Sequence, residues 1–100
     1  MKSKPKPKVR VTLSPTFRQL SELRDEPEVF ELHAASPLDC LQIMLRRYPS
    51  MKKWAYKEGK LLPVMWFFVN DPKMREKLPP DRFTKPLKDG DEVIIAFGKL

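Results

Sequence analysis

Ser36-Pro37-Leu38-Asp39-Cys40-Leu41-Gln42-Ile43-Met44-Leu45-Arg46-Arg47-Tyr48-Pro49 is the stretch that decides the fold class of this chain. Serine at its head can cap a helix, proline tolerates the first helical position, and Asp39 suits both a capping box and the positive end of the helix dipole. Leu38, Leu41, Leu45 and Tyr48 recur at spacings of three and four, which predicts one apolar stripe lying on a sheet. Arg46 and Arg47 favour the C-terminal end of the helix, and Pro49 prevents clean continuation.

Strands flank this helix on both sides. Before it, Val29-Phe30-Glu31-Leu32-His33 alternates, with Phe30 and Leu32 on one face and Glu31 and His33 on the other. Further back, Val9-Arg10-Val11-Thr12-Leu13 reads as a half-buried first strand stopped by Ser14-Pro15. An amphipathic turn, Phe17-Arg18-Gln19-Leu20-Ser21, leads from there to the polar loop Arg24-Asp25-Glu26-Pro27. After the helix, a shorter helical turn fits Met51 to Lys57, ending at Gly59. Val64-Met65-Trp66-Phe67-Phe68-Val69, bounded by Pro63 and Asn70-Asp71-Pro72, has the length and aromatic content of a strand. The Pro-rich stretch from Leu78 to Pro86 reads as an irregular connection. Lys88-Asp89-Gly90-Asp91 is then a turn before the last strand, Glu92-Val93-Ile94-Ile95-Ala96-Phe97. A long helix between strands makes a crossover, so the order predicts an α+β fold: a mixed sheet of about four to five strands covered by one main helix.

One hundred residues with 41% apolar content suffice for one compact core. No apolar run is long enough to span a bilayer, and the lone Cys40 can form no internal disulfide, which together imply a cytoplasmic protein. The formal charge of +7 first suggests nucleic acid. Residues 1 to 10 hold five Lys/Arg and no acid, however, which leaves fifteen basic against thirteen acidic groups in the remaining ninety. The excess is read as a flexible basic tail over residues 1–7, ahead of a single domain at 8–100. A Lys/Pro alternation of that kind favours solvated, extended backbone over a nucleic-acid arm.

Four fragments in order resemble a known family. Phe17-Arg18-Gln19-Leu20 follows the first strand, Arg47-Tyr48-Pro49 closes the helix, and Phe68-Val69-Asn70 closes the third strand. Pro86-Leu87-Lys88-Asp89-Gly90-Asp91-Glu92-Val93, the most specific of the four, turns into the last strand. Together they resemble MoaD/ThiS sulfur carriers over roughly residues 8 to 98, which implies a ubiquitin-like β-grasp fold. In that family a flexible tail ends Gly-Gly, and its terminal carboxylate is adenylated and becomes a sulfur-donating thiocarboxylate. This sequence instead ends Ala96-Phe97-Gly98-Lys99-Leu100, with Phe97 at the penultimate-glycine position. Phe97 would clash in a narrow catalytic channel that two glycines pass freely.

The resemblance thus implies a small protein acting through partners in sulfur transfer or molybdopterin/thiamine-type cofactor biosynthesis, while its terminus counts against a thiocarboxylate on the chain itself. The partners implied are an activating (adenylating) enzyme or a large synthase subunit. Trimming of Lys99-Leu100 by a processing metalloprotease would expose Gly98 as the tail residue. The alternative is a ubiquitin-like adaptor or subunit that only binds, since function lives in sites and not in folds.

Residues 64 to 69 and 93 to 97 are apolar on both faces, so something must cover the face away from the helix. Either the Leu78–Pro86 loop or the short helix near Trp54 folds over it, or it is an exposed patch for a partner with Trp66, Phe67, Phe68, Ile94 and Phe97 as candidates. Trp66 and Phe67 are neighbours in a strand, so only one of them can be core. Cys40 reads as a buried small hydrophobe, and His33 has no second ligand at metal spacing. No catalytic constellation, cofactor motif or metal motif is present, so no enzyme is expected.

Overall fold

A computed structural model of the chain describes residues 6–20, 22–23 and 25–98. Residues 1–5, in the expected tail, Ser21 and Arg24, in the expected turn and loop, and Lys99-Leu100, where trimming is expected, lie outside the described residues. Strand β1 (Lys8–Leu13) leads into a short helix α1 (Pro15–Leu20), then β2 (Val29–His33) and the main helix α2 (Pro37–Arg47). A 3₁₀ turn (Pro49–Met51) and one turn of helix, α3 (Lys52–Ala55), follow. Next come a two-stranded ribbon of β3 (Tyr56–Lys57) and β4 (Lys60–Leu61), strand β5 (Met65–Val69), a 3₁₀ turn at Pro80–Arg82, and strand β6 (Glu92–Phe97).

The main sheet runs β2-β1-β6-β5, with β1 and β6 parallel at its centre and the outer pairs antiparallel. This is the mixed sheet that the strand order predicts. Alternation sets its inner face: Val9, Val11 and Leu13 of β1, Phe30 and Leu32 of β2, Met65 and Phe67 of β5, and Val93 and Ile95 of β6 are all buried. Each such side chain contributes roughly 1.5–3 kcal/mol of burial.

Helix α2 starts as its sequence dictates. The Ser36 hydroxyl accepts from the Asp39 N–H at 3.1 Å, Pro37 opens the first turn, and the Asp39 carboxylate accepts from the Ala35 N–H at 2.8 Å. Burial works against the Asp39 carboxylate, but the Ala35 N–H and the Lys6 ammonium outweigh it and lower its pKa. The buried face of α2 is Pro37, Cys40, Leu41 and Met44, while Leu38, Leu45 and Tyr48 are half-buried. The expected stripe therefore ran along one margin of the true one. On a wheel of 3.6 residues per turn, positions 40, 41 and 44 straddle the centre that leucine spacing alone placed too far round.

Two expectations are corrected here. The helical turn ends at Ala55 and does not reach Lys57, because Glu58 (φ 52°) and Gly59 (φ 77°) form a two-residue turn that folds Tyr56–Lys57 back on Lys60–Leu61. Consecutive positive φ values are the signature of such hairpins, and only the second position is a glycine here. Second, the Leu78–Pro86 connection and the Trp54 helix both pack on the helix side of the sheet. Phe83 lies against Phe67 at 4.6 Å between centroids, and Trp54 meets Phe97 edge-on at 6.3 Å. The connection also runs along the outer edge of β5, where the Leu78 N–H donates to the Phe67 carbonyl at 2.8 Å. That contact occupies part of an otherwise open sheet edge. Lys6 and Pro7, in the expected tail, touch the fold: the Lys6 ammonium is 3.0 Å from Asp39, and the Pro7 carbonyl accepts from Ala34.

Candidate functional site

The outer face of the sheet is divided. Its β2/β1 half is polar, with surface pairs Lys8 to Glu31 at 3.8 Å and Arg10 to Glu92 at 3.6 Å. Its β6/β5 half is apolar, because the register sets Trp66 beside Ala96 and Phe68 beside Ile94. Segment 71–77 lies over this half after a turn at Asn70 (φ 53°) and another at Met74 (φ 51°). Lys77 sits above the Trp66 ring at 4.5 Å, and Lys73 and Met74 share a hollow with Trp66, Phe68 and Gly98.

The five candidate residues separate accordingly. Phe67 is fully buried under the helix, so it is core and offers no surface to a partner. Phe68, at 3% exposure, is closed off on the outer face, while Trp66 and Ile94 remain half-exposed there. Phe97 points to the helix side, where its ring stacks near Phe17 at 6.3 Å as well as meeting Trp54.

Gly98 carries the most informative geometry. Its N–H donates to the Val64 carbonyl at 2.6 Å, extending the β5/β6 ladder one step past Phe97. A Cβ built on Gly98 would fall onto the Cδ2, Cε2 and Cζ2 atoms of the Trp66 indole. Glycine is thus favoured by close approach of a ring and not by a special backbone angle. Ser14 ties the same corner from β1: its N–H donates to the Ile95 carbonyl at 2.9 Å, and its hydroxyl accepts from Phe97 at 3.4 Å. The end of β6 is seated on three sides. The Trp66 ring over Gly98 had no signal in the sequence, because it joins positions 32 apart through the strand register.

At the other end of β6, the most specific motif turns out to be structural. Asn70 and the Lys88–Glu92 turn form a closed set: the Asn70 amide donates to Asp91 at 3.0 Å, its oxygen accepts from the Glu92 N–H at 3.0 Å, and its own N–H donates to the Glu92 carbonyl at 2.7 Å. Asp91 also accepts from the Lys88 N–H at 2.8 Å, and Asp89 accepts from the Lys8 N–H at 2.8 Å. Gly90, with φ 86°, makes the turn that these bonds need. None of these groups is placed for chemistry on a substrate; they lock the starts of β1 and β6 to the end of β5.

The remaining reactive types are accounted for. Burial pushes the Cys40 thiol up to about 12, with the Asp39 carboxylate adding to the shift, so it stays a protonated core side chain. His33 lies on the exposed face with Nδ1 3.2 Å from the Lys6 carbonyl. Among the described residues, no three His, Cys, Asp or Glu side chains converge as metal ligands, and no helix is long and apolar enough to cross a membrane.

No protein-family model matches the sequence, and neither does any curated protein sequence. Solved structures do match in fold. The chain is similar to small archaeal modifier protein 1 from Methanosarcina acetivorans, with TM-score 0.69 and 18% identity over 96% of each chain. It is similar to a chain of the Amycolatopsis orientalis BexX/CysO complex, with TM-score 0.67 and 22% identity over 92% of this chain and 97% of that one. A Pyrococcus furiosus protein assigned as molybdopterin converting factor subunit 1 matches with TM-score 0.61 and 22% identity, over 93% of this chain and 99% of the other. At these identities the likeness is one of fold, and it agrees with the fold that the four sequence fragments implied: the chain has a ubiquitin-like β-grasp fold.

Proposed function

We propose that this chain works through protein partners in sulfur transfer or in molybdopterin/thiamine-type cofactor biosynthesis, as a docking protein and not as the thiocarboxylate carrier itself. The fold supports the first half of that reading, since neighbours covered almost end to end include modifier proteins and a chain from a two-protein complex. The seating of Phe97 and Gly98 carries the second half. To thread an activating enzyme's channel, Phe97 would have to leave Phe17 and Trp54, and Gly98 would have to leave Trp66 and the Val64 carbonyl. Removing a half-buried phenyl ring and one hydrogen bond costs about 2–3 kcal/mol before any contact is gained. The candidate partners are an adenylating enzyme or a large synthase subunit, with a metalloprotease as the processing partner if Gly98 becomes a terminus. Half-exposed Trp66 and Ile94 are the docking residues on the sheet.

The same seating favours a second reading, a ubiquitin-like adaptor or subunit that only binds. One experiment addresses both. The full chain is incubated with ATP, a sulfur donor and an adenylating enzyme of the MoaD/ThiS-activating type, and intact mass is measured alongside co-sedimentation. Unchanged mass with complex formation is the expected result. Replacement of one oxygen by sulfur, or an adenylate on the unprocessed chain, overturns it. Unchanged mass without any complex leaves the adaptor reading standing in its place.

A further inference from the structure

The charge of this protein is segregated along the chain in a way that its total conceals. Residues 8–51 hold six Lys/Arg against six Asp/Glu, and residues 89–98 hold three acids and no base. Residues 52–88 hold ten Lys/Arg against four acids, and all ten are exposed. Ion pairs among the described residues use Lys6, Lys8, Arg10 and Arg18, and none uses a cation from this span. Two of its acids are engaged or distant: Asp71 accepts from the Glu76 N–H at 2.9 Å, and Glu58 lies in the ribbon turn.

The same span shapes a groove. Between the end of the ribbon and the proline-rich strap along β5 lies a cleft of about 660 Å³, whose apolar walls are Leu61, Leu62, Pro63, Trp66, Pro79 and Phe83. It continues past Leu78 into hollows lined by Arg75, Lys77, Arg82 and Lys85 together with Asp71, Glu76 and Asp91, of which Asp71 accepts from the Glu76 N–H and Asp91 from the Asn70 amide and the Lys88 N–H. One end of the trough is therefore apolar and half-open, and the other carries four cations beside three carboxylates, with no ion pair between them among the described residues.

We propose that this trough binds an extended acidic segment of a partner protein, anchored by aliphatic side chains in the Leu61/Leu62/Phe83 cleft and paired along its acids with Lys77, Arg82 and Lys85. Charge complementarity selects the occupant: unpaired cations beside an apolar cleft fit a chain that alternates aliphatic and acidic groups. A nucleic acid fits less well. Its bases need open aromatic faces, whereas the Trp66 ring is covered by Lys77 and Phe83 leans on Phe67. The chain's own acidic loop is already engaged, since Glu26 accepts from Tyr48 at 2.6 Å and Glu28 and Glu31 face Arg18 and Lys8. Trp66 is shared with the end of β6, but Arg82 and Lys85 line no hollow with Phe97 or Gly98.

The test is fluorescence anisotropy of the full chain with a labelled peptide carrying a Leu-Pro-Leu core flanked by glutamates. The same peptide with Gln for Glu and a single-stranded oligonucleotide of matching charge serve as competitors. The glutamate peptide is expected to bind, the Gln version about tenfold more weakly. The double variant Lys77→Glu/Arg82→Glu, checked for fold by circular dichroism, should weaken binding by about tenfold and regain it with a lysine-flanked peptide. Equal competition by the oligonucleotide overturns the proposal in favour of a plain polyanion surface. Undiminished binding to the double variant places the peptide elsewhere, and absence of binding to the wild-type chain refutes the site outright. Self-association that the double variant abolishes, with the peptide inert, would put a second copy in the trough and likewise overturn it. All of these read out independently of any change in mass at the C-terminal end.

Discussion

Strand β6 begins in a network of hydrogen bonds and ends under an aromatic ring. At its start, Asn70, Asp89 and Asp91 close five polar contacts around Gly90, each with at least one partner group from the Pro86–Val93 motif. At its end, Phe97 and Gly98 are held by packing against Phe17, Trp54 and Trp66 and by one bond to Val64. Hydrogen-bonded turns need particular side chains at particular offsets, so they leave a readable motif. Packing needs only shape, and shape is set by strands far away in the chain. The difference explains why the sequence resemblance is carried by the hydrogen-bonded start of β6 and not by its packed end.

The largest effect should come from breaking both ends together. Phe67 sits opposite Ile95 at the middle of the β5/β6 pair, and Phe67→Asp buries an uncompensated charge in place of a packed ring. A loss of at least about 4 kcal/mol follows, enough to unfold a domain of ordinary stability. Trp66→Asp, one residue earlier on the outer face and near Lys77, should cost less than about 2 kcal/mol and stay folded. Circular dichroism during urea titration separates them; equal unfolding by both would mean that the outer face is as closed as the core.

Loosening only the start is the next test. Asn70→Ala removes the amide's bonds to Asp91 and Glu92 and leaves a non-glycine residue at φ 53°, for a cost of about 2 kcal/mol. Amide exchange should speed up at Glu92 and remain slow at Gly98. Equal loss of protection at Gly98 would make the two ends one cooperative unit and erase the contrast. A gentler version is Gly90→Ala, where φ is 86° and an added methyl meets nothing within 4 Å. Backbone strain alone then acts, worth about 1 kcal/mol, and the urea midpoint should fall without a change in slope.

How far the sequence spoke follows the same division. Strands at 29–33 and 92–97 and the capped helix from Ser36 were legible because local periodicity and capping chemistry act within a few residues. The ribbon at 56–61 was not, since Glu58-Gly59 is a weak hairpin signal and a terminal glycine equally suits a helix end. Cys40 and Met44, not Leu38 and Leu45, fill the centre of the α2 face, a distinction that residue type alone obscured. Charge was misplaced by summing: a near-neutral balance over ninety residues hid a neutral first part and a strongly basic span at 52–88. Gly98 was singled out as a tail residue, but its relation to Trp66 exists only once β5 and β6 are in register.

Smallest in energy, and most direct for function, is Gly98→Ala. The new methyl would overlap the Trp66 indole, so either the ring turns away or the end of β6 lifts and gives up the bond from residue 98 to Val64. Trp66 is half-exposed on the outer face with Lys77 above it, whereas Phe97 is gripped by two rings on the inner face, so the indole should yield first. A stability loss of under about 1 kcal/mol is expected, since a side chain moves and the backbone stays. The two tryptophan indole N–H resonances provide the readout: Trp66 should shift strongly, Trp54 hardly, and the amide at position 98 should keep its protection. If that amide instead exchanges at the rate of an unprotected chain in the wild-type protein, the end of β6 is already free, and the seating of Phe97 and Gly98 on which the proposed docking role rests is refuted. If neither indole moves in the variant, Gly98 does not lie beneath Trp66, and the contrast between a hydrogen-bonded start and a packed end fails at its second term.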